Sequence, residues 1–163
     1  MTAARVGTGF DAHRLVEGRP LMLGGVRIEH GRGLEGHSDG DCLLHAICDA
    51  ILGALGAGDM GRHFPSTDAR WKGAASLRFL EDVARLLAER GYALGNLDAT
   101  VIAEAPALAP HLDAMRTQIA QVLAVPLESV SVKAKSTDAL GAIGRGEGIA
   151  AQAVATLIPL ERI

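Results

Sequence analysis

Aromatic side chains are nearly absent from this chain, and that absence constrains what it can fold into. Phe, Trp and Tyr make up 3% of 163 residues, whereas Gly contributes 20 and hydrophobic residues together 48%. A core without large rings has to be assembled from Ala, Leu, Val and Ile, with backbones brought close at small residues. The length suits one unit, 1–163, able to bury a sizeable core. With 21% charged residues the chain falls in the globular class, and disorder is excluded as its main state. The net charge of -3 and the lack of a long basic run leave a nucleic-acid surface without an electrostatic footprint. Cys42 and Cys48 make neither a disulfide framework nor a CxxC pair, which points to a reducing, cytoplasmic setting. The start, Met1 to Arg5, lacks the layout of a signal peptide. The longest late apolar run, Gly148 to Leu160, is too short to cross a bilayer, so no membrane association is expected.

The order of elements reads as follows. Val6 to Phe10 is a first strand, and Leu21 to Ile28 a hairpin closed at Gly24-Gly25. Gly31 to Gly36 reads as a loop. A helix starts from Ser38 or Asp39, with Leu44, Ile47, Ile51 and Leu55 as its apolar stripe. Gly58, Gly61 and Pro65 make Gly56 to Asp68 a long loop. Leu77 to Arg90 is a second amphipathic helix closed by Gly91, Leu97 to Ala103 a strand, and His111 to Leu123 a third helix. Val130 to Lys135 and Ile149 to Ile158 are strands on either side of a glycine-rich loop, Gly141 to Gly148. This is the order of a single α+β domain, with helices on one face of a mixed sheet. The bare face suggests contact with another subunit.

Five stretches could carry chemistry. In Asp11-Ala12-His13, alternate strand residues point the same way, so Asp11 and His13 can converge on one ion. In the second, His37-Ser38-Asp39-Gly40-Asp41, the helical spacing of Asp41, His45 and Asp49 puts them on one stripe. One Asp and two His with an open fourth position is the arrangement of catalytic zinc. The same residues also occur as surface His and as Asp helix caps. In Gly58 to Pro65, Asp59 could accept hydrogen bonds from hydroxyls, although an ordinary turn is the simpler reading of the composition. Lys133 to Asp138 offers two lysines, hydroxyls and a carboxylate to phosphates and a hard cation, or is a solvated strand end. Gly144 to Gly148 is neither a Walker A loop nor a dinucleotide fingerprint. Residue spacing alone reaches a metal-dependent enzyme acting on phosphates and stops there.

Taken together, several stretches resemble one family. They are Gly9-Phe10-Asp11-Ala12-His13, His37-Ser38-Asp39-Gly40-Asp41, Leu44-His45-Ala46, Asp49-Ala50, Gly58-Asp59-Met60-Gly61 and Gly144-Arg145-Gly146-Glu147-Gly148-Ile149-Ala150. Their order and spacing are similar to those of the 2-C-methyl-D-erythritol 2,4-cyclodiphosphate synthases of non-mevalonate isoprenoid biosynthesis, from Arg5 to Ile158. The resemblance implies a phosphorus–oxygen lyase. It converts 4-diphosphocytidyl-2-C-methyl-D-erythritol 2-phosphate to the cyclic diphosphate and CMP. It further implies a ferredoxin-like subunit in a homotrimer with active sites between subunits.

The resemblance also assigns residues. Asp11, His13 and His45 hold Zn²⁺, and Asp138 holds a second ion, Mg²⁺ or Mn²⁺. His37 and Ser136 stabilise the transition state. His37 and Ser38 contact the substrate phosphate, and Asp11, Ala12 and His13 also bind substrate. Asp59, Met60, Gly61, Phe64, Pro65, Ser66, Thr67 and Asp68 hold the methylerythritol part. The cytidine diphosphate pocket comes from Ala103, Glu104, Ala105, Pro106, Ala107, Leu108, Ala109, Lys135, Ser136, Thr137 and Asp138. Ala142 and Arg145 also approach bound ligand. Arg145 and Glu147 sit at the trimer axis, near a cavity that holds an isoprenoid diphosphate in some members. The chain departs from the family pattern at Asp138 (commonly Glu), Ser136 (Thr), Ala107 (Lys), Ala142 (Phe) and Ser66 (Asp). Two other readings share these residues. One is a zinc phosphoesterase using metal-bound water. The other is a non-catalytic trimer binding an isoprenoid diphosphate through Arg145.

Overall fold

Small residues at alternate positions of the first strand set the architecture. The computed structural model describes residues 4–160, so the ends of the expected unit lie outside the described residues. Strand β1 spans Arg5–Glu17, β2 Leu21–Leu23, β3 Val26–Ile28 and β4 Arg32–Leu34. Helix α1 follows at Cys42–Leu55, α2 at Met60–His63 and α3 at Ser76–Glu89. Then come β5 (Tyr92–Ile102), α4 (Leu112–Leu123), β6 (Val130–Lys135), α5 (Gly141–Gly144) and β7 (Gly148–Pro159). Five strands form one sheet in the order β4-β1-β7-β5-β6, and β2 and β3 pair apart from it. β5 and β6 run parallel and the other neighbours antiparallel, so the sheet is mixed.

α1 packs on β1 and β7, α4 on β6, and α3 lies between α1 and α4. A Cβ added at Gly7 would lie 2.0 Å from the Ala50 carbonyl oxygen, and one at Gly9 would lie 1.9 Å from that of Ala46. Only glycine lets strand and helix backbones meet this closely. The buried stripe of α1 completes the contact with Ile47, Ile51 and Leu52. α3 adds Phe79, Leu80, Val83 and Leu87, and α4 adds Met115, Ile119 and Leu123. This is the ring-poor core expected from composition. On the opposite face of β1, Val6 and Phe10 are 62% and 63% exposed. Among the described residues, no helix is long and apolar enough to cross a membrane.

The structure differs from the expected elements at several places, among them β5, which begins at Tyr92 rather than Leu97. β1 does not stop at Phe10. It pairs with β7 through Arg14 and then with β4 from Leu15 to Glu17, so the expected loop at Gly31 to Gly36 contains a strand. α1 begins at Cys42 because Asp41 is its N-cap, accepting from the Leu44 N–H. The expected loop at Gly56 to Asp68 contains α2, capped by the Asp59 carboxylate on the Arg62 N–H. Likewise, one helical turn, α5, occupies the start of the loop at Gly141 to Gly148.

Candidate metal centre and substrate cleft

The close seam between β1 and α1 carries the site at one end. Past Gly7 and Gly9, the next two residues on the helix-facing side of β1 are Asp11 and His13. His45 stands one turn into α1, on the same side as Ala46 and ahead of it. The Asp11 Oδ2 lies 2.7 Å from His13 Nε2 and 2.9 Å from His45 Nδ1, and the two imidazole nitrogens lie 3.2 Å apart. Tetrahedral ligands at zinc distances are about 3.3 Å apart. A few tenths of an ångström of spreading would therefore turn these three contacts into three bonds to one ion. All three side chains are partly exposed, so the fourth position opens to a ligand.

The charges support the same use. Burial pushes the Asp11 carboxyl up, but hydrogen bonds from His13 and His45 outweigh it and hold that carboxyl well below the usual range. The hydrogen bond to Asp11 in turn raises the His13 imidazole above its ordinary 6.5, against the opposing effect of burial. Asp11 is thus ionised, and the proton held on His13 is one a metal would displace.

The triad lines a cleft of about 330 Å³, together with His37, Ser38, Asp49, Met60, Gly61, Phe64, Ser66, Trp71 and Phe79. Three of the five aromatics in the chain meet on one wall: Phe64 packs 4.8 Å from Phe79 and 5.2 Å from Trp71, centroid to centroid. These rare rings stand where the core meets the cleft. On the polar side, Asp49 accepts from the Met60 N–H at 2.8 Å, and burial pushes its carboxyl up. Behind His45, Ser76 Oγ lies 2.9 Å and Ser38 Oγ 3.2 Å from Nε2.

Of the expected helical stripe, His45 and Asp49 reach the cleft and Asp41 does not. Asp41 is fully buried and accepts from the Gly24 and Gly25 N–H groups at 3.0 and 2.8 Å as well as capping α1. It ties the β2–β3 hairpin to the helix. Asp59, Thr67 and Asp68 lie outside the cleft lining, with Asp68 paired to Arg70 at 2.6 Å. Pro65 is likewise not in the lining. Trp71, Phe79 and Ser76 are site residues that pattern reading missed, while Asp39 stood in a quoted motif without a role of its own. Ser76 meets His45 and Asp39 only in the fold, across 31 and 37 residues, and no chemical pattern marks the segments that carry Trp71 and Phe79.

The second group assembles elsewhere. Lys135 to Asp138 and Ala103 to Ala109 follow the ends of the parallel strands β6 and β5. They are joined by Ala103 N–H to Lys135 O at 2.9 Å and by Ala139 N–H to Glu104 Oε2 at 3.5 Å. Ser136 Oγ lies 3.2 Å from Asp138 Oδ1. β6 stands three strands from β1, about 14 Å at the usual strand spacing. None of these residues lines the metal cleft. Ala142 lies near Ala12, His13 and Glu147 in a separate shallow pocket. Arg145 donates to Glu147 at 2.6 Å, and this holds the exposed Glu147 carboxyl below its ordinary value.

A family model described as the YgbB family matches residues 4–158. The chain belongs to this family. A YgbB relative from Alkaliphilus metalliredigens, named 2-C-methyl-D-erythritol 2,4-cyclodiphosphate synthase, is 56% identical over 153 residues, covering 94% of this chain and 96% of its own. The bifunctional enzyme IspD/IspF of Erythrobacter litoralis is 58% identical over 154 residues. That match covers 94% of this chain but 40% of the relative, so the chain spans less than half of that longer protein. A solved 2C-methyl-D-erythritol-2,4-cyclodiphosphate synthase in a CDP-bound form superposes with a TM-score of 0.87 at 38% identity, over 94% of this chain and 100% of that one. The YgbB assignment agrees with the resemblance carried by the motifs.

Proposed function

We propose that this chain is a 2-C-methyl-D-erythritol 2,4-cyclodiphosphate synthase. It closes 4-diphosphocytidyl-2-C-methyl-D-erythritol 2-phosphate into the cyclic diphosphate and releases CMP. The observation that carries this reading is the triad of Asp11, His13 and His45, with donor atoms 2.7 to 3.2 Å apart at the floor of an open cleft. In the reaction an oxygen of the 2-phosphate attacks the β-phosphorus. The bond from that phosphorus to the bridging oxygen breaks, and CMP departs with the bridging oxygen and its electron pair. The nucleophile is already anionic, so no activated Ser or Cys is required.

The obstacle is repulsion between phosphates. One pair of unit charges at ~4 Å and an effective dielectric of ~20 costs about 4 kcal/mol. When bound, Zn²⁺ on the triad and Mg²⁺ or Mn²⁺ at Asp138 supply the neutralising charge. The protein groups do the positioning. His37 and Ser38, which both line the cleft, would meet the phosphate. Met60, Gly61, Phe64 and Ser66, which line the cleft, would hold the methylerythritol unit, with Asp59, Pro65, Thr67 and Asp68 beside them outside the lining. Folding the substrate back on itself gains from orientation alone.

The nucleotide belongs with Ala103 to Ala109 and Lys135 to Asp138, where Ser136 is the second stabilising group. Because β5 and β6 stand two and three strands from β1, about 10 and 14 Å at the usual spacing, and none of these residues lines the metal cleft, we assign each active site to two chains of a homotrimer of ferredoxin-like subunits. The exposed Val6 and Phe10 on the bare sheet face support this assembly. Arg145 and Glu147 then stand at the axis, where an isoprenoid diphosphate would bind. Residues 1–163 work as one domain in the cytoplasm.

Phosphorus NMR of the protein with this substrate, Zn²⁺ and Mg²⁺ tests the reading. The cyclic diphosphate and CMP are expected, and His45→Ala should abolish both. Ring-opened products would instead make the chain a zinc phosphoesterase. Bound zinc without turnover would leave a binding protein.

A further inference from the structure

The triad explains one nitrogen of His45 and leaves the other to be accounted for. His45 Nε2 faces Ser76 Oγ at 2.9 Å. Ser76 is fully buried and is the first residue of α3. Its hydroxyl is the donor in a very short hydrogen bond to Asp39 Oδ1. Asp39 is itself fixed: Oδ2 accepts from the Ser76 N–H at 2.9 Å, Oδ1 from the Asp41 N–H at 3.1 Å, and its own N–H donates to the Ala74 carbonyl at 3.1 Å.

A serine hydroxyl has one hydrogen to give. With that hydrogen directed to Asp39, Ser76 presents only lone pairs to His45. The neighbouring Ser38 Oγ, 3.2 Å from the same nitrogen, accepts from the Gly40 N–H at 3.3 Å and can direct its own hydrogen to Ser76 Oγ at 3.4 Å. The partner that suits this arrangement is an Nε2–H. Once an ion replaces the proton that Nδ1 shares with Asp11, a hydrogen fixed on Nε2 leaves the lone pair on Nδ1, the atom that faces Asp11 and His13.

We propose that Asp39 and Ser76 are positioning residues that select the His45 tautomer with a free Nδ1 and lock its ring toward the triad. The inference rests on the metal reading of Asp11, His13 and His45. It adds a dependence of metal affinity on the junction between α1 and α3, since the hydroxyl belongs to the first residue of α3. Outer hydrogen bonds to ligating imidazoles typically change metal affinity by about 10 to 100-fold.

Zinc affinity of the full-length protein, measured by competition with a chromogenic chelator, separates the two claims. Wild type should bind zinc and His45→Ala should not. Failure of the wild type to bind overturns the metal reading and this proposal together. Ser76→Ala keeps the backbone N–H that ties α3 to Asp39, so the metal-free melting temperature should stay within a few degrees of wild type. Its zinc affinity should fall about 10 to 100-fold, with turnover recovering as zinc is added in excess. A merely structural role would lower the melting temperature and would not respond to zinc. Asp39→Asn keeps the size of the side chain and an acceptor for Ser76, and serves if Ser76→Ala fails to fold. It too should weaken zinc binding, by a smaller factor. Wild-type affinity, within twofold, in whichever of the two variants folds would overturn the proposal while leaving the metal reading intact.

Discussion

Asp11 sits between two imidazoles, and its charge governs how all three donors respond to pH. His13 is raised above 6.5 by Asp11, so its contribution to the metal-free fold is full below that value and fades as pH climbs through the raised one. Asp11 is depressed, so its contribution is present above the ordinary 3.8 and is lost only as pH falls through the lowered value. From about pH 6.5 up through the raised His13 value the metal-free protein should therefore lose melting temperature as pH rises. The zinc-loaded protein should show the opposite slope, because fewer protons compete for His13. Paired thermal melts with and without chelator check this, and parallel slopes would contradict it. The Asp-x-His pair was readable from sequence because a strand has period two, which no tertiary detail alters. Asp41 was misread for an equally physical reason. Shifting the helix start from Ser38 or Asp39 to Cys42 converts a stripe residue into a cap, and boundaries are what sequence patterns define least well.

At the scale of elements, the contact of α1 with β1 decides where His45 stands. Gly9→Ala would place a methyl group 1.9 Å from the Ala46 carbonyl oxygen, against backbone that has nowhere to retreat. Overpacking of a core usually costs 1–3 kcal/mol; here we expect a loss at the top of that range or above, about 3 kcal/mol, read by urea denaturation. Zinc affinity should drop with it, since His45 would be pushed off Asp11. A change below about 1 kcal/mol would show that the seam can give. The seam was partly legible. Ala and Gly abundance implied close backbones, while the pairing of Gly7 with Ala50 and of Gly9 with Ala46 needed the fold. The same holds for the cleft wall: Phe64 fell within a recognised stretch, but Trp71 and Phe79 sit in segments with no chemical pattern. Ser76 and Asp39, separated by 37 residues, become partners only when α3 docks.

At the scale of the whole molecule, the proposed split of the active site between two chains is testable without a structure of the assembly. His45→Ala and the double variant Ser136→Ala, Asp138→Ala should each be inactive alone. Dissociated, mixed in equal amounts and reassociated, they should regain about one quarter of wild-type activity, the share of sites that draw an intact half from each of two neighbours. No recovery would place the whole site within one chain. The close docking of α1 on Gly7 and Gly9 has a kinetic side as well. Donors borne by a rigid strand and a helix pressed backbone to backbone against it need no search for their geometry. Ion capture should then follow a single exponential whose rate rises linearly with free zinc, with no slow rearrangement phase. The site is assembled when the chain folds, and the ion arrives at a place already made.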